Sequence, residues 1–420
     1  MNVINSFLEE INQTSSLQSD QKISQLTRVL SIIPSNNAYI SKINTTTNGI
    51  EFKAIATVYD DDWPAFNNVV CSFLKLCDEI DPLSLLKSFD LYTAYLNDLS
   101  IAFNNNKYGW LLSNIVRESS DLIIQWAVKL DLQLYYHEQG GRYRLNYLAS
   151  VLLKMFNHIR SQINDINSYK RSLILYLGNK LCLIYFKIDN PLLCRNIFSN
   201  MNNTNLHLSD FTLMEQLQYR YYLSKFYLIK YQLLDSFFHL SWCLTNSLAK
   251  STKNTNMILE LLIPISLALG KIPNFKYIRQ ICNETWLNFY DVLSQQIKSG
   301  DVSSFDEAIE QNYQYLKDKN VLLLMNKVRL VITRNLVKNI WKILGKPNNL
   351  DYDSIKAAVR RIDDDYLVEN ILISLIDQNL LKGKIFTRLR KVALSKNDPF
   401  PPVYDIYNLK FPSKKGVEWM

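Results

Sequence analysis

Leu381-Lys-Gly-Lys-Ile-Phe-Thr-Arg-Leu-Arg-Lys-Val-Ala-Leu-Ser395 is where this chain changes its period. Upstream, Asn326-Lys-Val-Arg-Leu-Val-Ile-Thr-Arg-Asn-Leu-Val-Lys-Asn-Ile-Trp-Lys-Ile-Leu344 repeats apolar residues at helical spacing (Val328, Val331, Ile332, Leu336, Val337, Ile340, Leu344). That pattern predicts a long helix with one buried face, stopped by Gly345 and Pro347. A second helix is predicted to start after Asp351, whose carboxylate can cap the amides of Ser354 and Ile355, and to run to Arg361. A third, Tyr366 to Leu380, carries Leu367, Ile371, Leu372, Leu375 and Ile376 on one side. Then alternation replaces helical spacing. Ile385/Phe386 and Val392/Leu394 read as two short strands around a basic turn. Three helices and a hairpin make a winged helix, with the hairpin as its wing. The wing holds Lys382, Lys384, Arg388, Arg390 and Lys391 and no acidic residue. Alternation sends Lys382, Lys384, Arg388 and Arg390 outward while Ile385, Leu389 and Val392 pack inward.

Outward from that stretch, the 420 residues suffice for two or three domains or one long array. Apolar residues are 48% of the chain, with only 10 Gly and 11 Pro, which argues mostly helix with short polar connections. A formal net charge of +8 permits an anionic partner without demanding one. The six cysteines show no CxxC pair and the four histidines do not cluster with them in sequence. They read as free thiols packed as small hydrophobes in a reducing compartment, not as a metal site. The first residues lack the basic start of a signal peptide. The longest apolar run, Met257 to Leu269, is broken by Glu260 and Pro264 and falls short of the ~20 residues a spanning helix needs. The expectation is a soluble intracellular protein.

Residues 1–170 read as an N-terminal helical region, with Ser35 to Gly49 as a loop and Pro64 in the first turn of a helix. Residues 171–325 read as paired-helix repeats. Tyr176–Ile188 with Leu192–Met201, and Tyr221–Tyr231 with Asp235–Leu248, are two such units offset by about 44 residues, the range of helical solenoids. Such units stack because neither buries its apolar face alone. Further helices, Ser304 to Leu316 among them, continue the array into the winged helix, residues 326–403, and a C-terminal tail follows at 404–420. The fold class is all-α, a TPR-like helical-repeat solenoid ending in a winged-helix subdomain with a small β-hairpin.

No Gly-rich phosphate loop, HExxH or GxSxG occurs, so no enzyme, cofactor or metal is expected. Gly140-Gly141 reads as a helix terminator. Asp60-Asp61-Asp62 and Asp363-Asp364-Asp365 read as capping and dipole devices rather than cation sites. Tyr219, Tyr221, Tyr222, Tyr227 and Tyr231 read as core; base stacking is the alternative. The wing is different. Lys382, Lys384, Arg388, Arg390 and Lys391, helped by Arg360, Arg361, Lys396, Lys414 and Lys415, form a cluster suited to phosphates. The third helix, with Asp363, Asp364, Asp365, Glu369 and Asp377, would repel a phosphate backbone at a groove. Backbone contacts along the wing, not base reading, are therefore expected, for RNA or DNA alike.

Leu381-Lys-Gly-Lys-Ile385 and Lys391-Val-Ala-Leu-Ser-Lys-Asn-Asp-Pro-Phe-Pro-Pro402 resemble the C-terminal signature of the PCI family, scaffold subunits of the proteasome lid, the signalosome and a translation initiation factor. The resembling branch holds the signalosome-associated PCI protein and the PCI subunit of the transcription-coupled mRNA export complex. Leu183-Ile-Tyr-Phe-Lys-Ile188, Asn254 to Pro273 and Arg329-Leu-Val-Ile-Thr-Arg-Asn-Leu336 fit the same branch, in register from Ser172 to Pro402. The first 170 residues share only helicity. The resemblance implies a non-enzymatic scaffold that forms a heterodimer with a second PCI protein through winged helices. It also implies a small acidic disordered Sem/DSS-type subunit, for which Lys225, Lys230, Tyr231 and Lys250 would line grooves. The expected role is transcription elongation and mRNA maturation, in the nucleus with a cytoplasmic share, with signalosome subunits as further candidates for partners. The alternatives are an mRNA export subunit at the nuclear pore, or a pure signalosome assembly scaffold that touches no nucleic acid.

Overall fold

The computed structural model describes residues 2–46, 55, 57–204, 206–248, 251–358 and 364–412. The chain forms two compact units, one reaching Tyr222 and the other starting at Leu223. Both are built from helices joined by short turns, and a small three-stranded sheet belongs to the second.

In the first unit, helices Pro64–Glu79, Leu85–Phe103, Ser113–Gln133, Tyr143–Ser161 and Leu173–Lys187 pack on one another in succession. Pro64 occupies the first turn, where its missing N–H costs nothing. Trp63, fully buried beside it, donates from Nε1 to the carbonyl of Ala102 at 3.0 Å. The expected loop from Ser35 contains a helix, Ala38–Thr46. Asn37 makes it possible: its side chain accepts from the Tyr39 amide and donates to the carbonyls of Val29 and Ser31. Five of the six cysteines are buried and all are free thiols.

The second unit continues with helices Leu233–Asn246, Thr252–Ala268, Trp286–Ser299 and Leu322–Ile343. The single helix expected from Ser304 to Leu316 is two, Val302–Gln311 and Tyr313–Asp318. Between them the Asn312 side chain donates to the carbonyl of Ala308, local competition that ends the helix. Gly300 terminates Trp286–Ser299 at φ +83°, and a Cβ there would lie 2.5 Å from the Cα of Leu336. Glycine thus sets how closely Leu322–Ile343 approaches the array.

The long helix opens the winged helix. Strand β1 (Asn349–Asp351), helix Tyr352–Ala358, helix Asp365–Asp377, strand β2 (Gly383–Phe386) and strand β3 (Lys391–Leu394) follow. The sheet is antiparallel in the order β1-β3-β2. Both hairpin strands lie where alternation placed them. Three expectations are corrected. Asp351 does not cap a helix: it ends β1, opposite Lys391. On the third helix Leu372 and Leu375 are buried and Ile371 and Ile376 half-buried, as expected, but Leu367 is exposed and Val368 takes its place in the buried stripe. Leu389 does not pack inward. It sits in the short 3-10 turn Thr387–Leu389 that breaks the alternation, and it is 66% exposed.

The segment expected as a tail from 404 begins as a helix, Val403–Lys410. It returns to the array: a Cβ on Gly270 would meet Val403 at 2.8 Å, and the Lys271 ammonium sits between the Phe237 and Tyr404 rings. Just before it, Phe400 and Pro401 give their carbonyls to Nη2 of buried Arg334, both at 2.8 Å. The Phe400 ring packs on Trp341. The Pro-Phe-Pro-Pro stretch therefore fastens the wing's exit to the long helix, and the Lys382 amide adds a bond to the carbonyl of Pro399.

Candidate nucleic-acid interface

The wing is held up from below. Val392 and Leu350 are fully buried and face each other across β3 and β1, with Ile385 completing the row on β2. Side chains of opposite parity point away from that core. Lys382, Lys384, Arg388, Arg390, Lys391 and Lys396 are all exposed.

They are not equivalent. Arg390, at φ +50° after the turn, reaches back to Asp365 (Nε–Oδ2 2.8 Å) and to Asp353 (Nη2–Oδ1 2.8 Å). Asp365 also takes Lys356 at 2.5 Å. The Lys356 hydrogen bond, then that of Arg390, holds the Asp365 carboxyl below the usual carboxylate range. Lys391 pairs with Asp351 at 3.3 Å. The wing's own sequence lacks acid, but β1 and the two short helices supply it. Among the described residues no ion pair involves Lys382, Lys384, Arg388 or Lys396. Arg360, Arg361, Lys414 and Lys415 lie outside the described residues, as does Asp363.

The long helix carries cations of its own, half-buried Lys338 and exposed Lys342 beside buried Arg334, a feature the sequence reading missed although its signal is visible. Arg334, Lys338 and Lys342 recur every four residues, so they share a face. Burial first, then Arg334 and Lys342, pushes the Lys338 ammonium below the usual lysine value; Asp398, two residues from Lys396, opposes them.

The third helix presents a different surface. Tyr366 is 74% and Ile373 53% exposed, flanked by Asp364 and Asp377. Asp364 caps the helix, its Oδ1 accepting from the Tyr366 amide at 3.0 Å. An apolar, acid-flanked face suits a protein better than a phosphate backbone.

Three of the residues expected to line a groove for an acidic partner lie in or just after one helix, Leu213–Ile229. Lys225 is half-buried in helix Leu213–Ile229, and the Lys230 ammonium lies over the Phe226 ring at 4.6 Å. Tyr231 is at the following turn with φ +58°, its ring covered by the Lys327 ammonium at 3.5 Å. Lys250 lies outside the described residues. Among the described residues no group of three His, Cys, Asp or Glu side chains could hold a metal ion, and no helix is long and apolar enough to cross a membrane.

An array of helix pairs closed by a winged helix, with a basic wing and an apolar third helix, is the architecture of a PCI-type scaffold. Three relatives are similar to this chain over most of its length. The Saccharomyces cerevisiae "Nuclear mRNA export protein THP1" is 27% identical over 91% of this chain and 94% of its own. The Arabidopsis thaliana "Enhanced ethylene response protein 5" is 24% identical over 94% of each. The Danio rerio "PCI domain-containing protein 2" is 23% identical over 82% of this chain and 86% of its own. No family model matches the chain. The chain is therefore similar, over most of its length, to a group of relatives that includes proteins named for a PCI domain.

Proposed function

We propose that this protein is a non-enzymatic scaffold subunit acting in nuclear mRNA export, which pairs with a second PCI protein and holds nucleic acid by its phosphates along the wing. The observation that carries the nucleic-acid part is the set Lys382, Lys384, Arg388 and Lys396, exposed and without ion pairs among the described residues. Nuclear mRNA export is supported by the name of a relative that shares nearly the full length. That similarity favours export over the transcription-elongation and mRNA-maturation role expected first. The exposed Tyr366–Ile373 face fits the PCI partner, and the acidic Sem/DSS-type subunit stays part of the proposal through Lys225 and Lys230. The nucleus is the proposed place of action.

The test is replacement of Lys382, Lys384, Arg388 and Lys396 together with Glu. Arg390 and Lys391 are left alone, because they tie the wing to its own carboxylates. For every phosphate no longer neutralised, the slope of log K against log salt falls by about 0.7 for a single strand and about 0.9 for a duplex. The expected result is a fall in affinity of orders of magnitude at moderate salt, with a shallower slope, in fluorescence anisotropy at three salt concentrations. Unchanged affinity in a folded complex would favour the pure assembly scaffold, a reading supported by the internal pairing of Arg390 and Lys391.

A further inference from the structure

The outward face of the small sheet carries an aromatic ring that the winged-helix core does not use. Strand register sets Phe386, Lys391 and Asp351 side by side in one row, and Lys384, Ala393 and Asn349 in the next. Both rows lie on the face opposite buried Val392 and Leu350 and half-buried Ile385. Phe386 is 46% exposed, and among the described residues no other ring stacks on it. Lys384 precedes it on the same strand face and Arg388 follows it across the turn. Small Ala393 in the adjoining row leaves the floor beside the ring open. A ring fixed on a strand, open to solvent and flanked by cations, matches what an unstacked base and its two phosphates require. A duplex hides its base faces in the stack, and a rail of phosphate contacts needs no ring.

We infer that the sheet face of the wing takes single-stranded nucleic acid, with one base stacked on Phe386 and the flanking phosphates on Lys384 and Arg388. This rests on the nucleic-acid reading of the wing and names its ligand class. Lys391, already held by Asp351 at 3.3 Å, contributes less. Leu389, exposed at the tip, offers a second apolar edge to the same base.

The test uses the full chain with a labelled oligouridylate and a labelled duplex of equal length. Phe386→Ala is expected to weaken the single strand about tenfold, the scale of a single base stack, with the salt slope unchanged and the duplex unaffected. Phe386→Tyr, which keeps the π face, is expected to bind as wild type. If Phe386→Ala also weakens the duplex, the wing has been disturbed, and Phe386→Leu decides: weakening of the single strand alone supports the stack, full affinity overturns it. Single-strand affinity indifferent to Phe386→Ala but destroyed by Lys384→Glu with Arg388→Glu overturns the stack and leaves the wing as a phosphate rail. Indifference to all of these substitutions overturns both readings.

Discussion

Lys170 is 1% exposed, and among the described residues its ammonium has the carbonyl of Asn105 at 3.2 Å and the face of the Phe103 ring, but no carboxylate. Burial pulls its pKa down to about 8. The sign follows from linkage. The unfolded chain keeps its proton to about pH 10.4, so between pH 8 and that value the unfolded state binds more protons and stability rises with pH. At pH 7 the charged amine is a burden of about 3 kcal/mol, the full shift converted. Lys170→Met should therefore stabilise the protein by about 1–3 kcal/mol at pH 7. The Asn105 carbonyl is not orphaned in that variant, since it also accepts from the Gly109 amide. Urea unfolding at pH 7 and pH 9.5 checks this: the variant's advantage should shrink at the higher pH, and a variant less stable at both would refute the account.

At the scale of elements, the wing is an instance of local legibility and long-range blindness. Alternation placed both hairpin strands because Ile385 and Val392 alternate with cations over enough residues to exclude a helical period. β1 was not legible, because three residues carry no period and Asp351 resembles a helix cap. The partners of Arg390 were not legible either: Asp353 and Asp365 come from other elements, and only the fold brings them in. Leu389 went the wrong way because parity cannot be counted through a 3-10 turn. These carboxylates make a prediction. Asp365 has its acid range lowered, so its contribution is fully present above the ordinary aspartate value of about 3.9 and is lost as pH falls through the lower folded value. Amide exchange at Tyr352, which donates to the carbonyl of Arg390, should keep its protection from pH 7 to pH 5 and lose less than about tenfold of it below about pH 4. Asp365→Asn should speed that exchange at pH 7 by less than about tenfold, because exposed ion pairs are individually weak. Equal protection in the variant would mean that the wing is held by its apolar row alone.

For the whole molecule, the helical-repeat class was legible from few glycines and prolines and from recurring apolar spacing. The division at Tyr222/Leu223 was not, since no linker marks it. Within the second unit the long helix serves the array and the winged helix at once. Val328, Ile332 and Val337 are fully buried, and the helix packs on Trp286–Ser299 and Thr252–Ala268. A chain stopped after Met325 would strip that cover, and it is expected to sediment with aggregates rather than survive as a free array. A milder cut, after Asn397, removes Phe400 and Pro401 and leaves the Arg334 guanidinium without its two carbonyl acceptors. Hydrogen bonds to a charged group contribute about 1.5–3 kcal/mol each, so a loss of about 3–6 kcal/mol is expected in urea unfolding of the second unit. A midpoint unchanged by that cut would show that Arg334 is satisfied without the Pro-Phe-Pro-Pro stretch. At the third helix, Ile373→Arg should reduce co-purification with the second PCI protein while leaving wing affinity for nucleic acid intact; retained pairing would place the partner elsewhere.

The anchoring of Arg334 by Phe400 and Pro401 also has a consequence for the order of synthesis. A chain emerges from the ribosome N-terminus first, so the helix that carries Arg334 is out and formed while its two carbonyl acceptors are still being added. During that interval a cationic side chain destined for burial has water as its partner, and Trp341 has no Phe400 to cover it. The helical array can be complete, but its last helix cannot settle until the stretch through Pro402 is free. Val403 and Tyr404, which close on Gly270 and Lys271, emerge later still. The nascent protein therefore passes through a stage with an intact array and an open end, and a stop codon just before Phe400 would freeze it there, in a form that chaperones and proteases recognise.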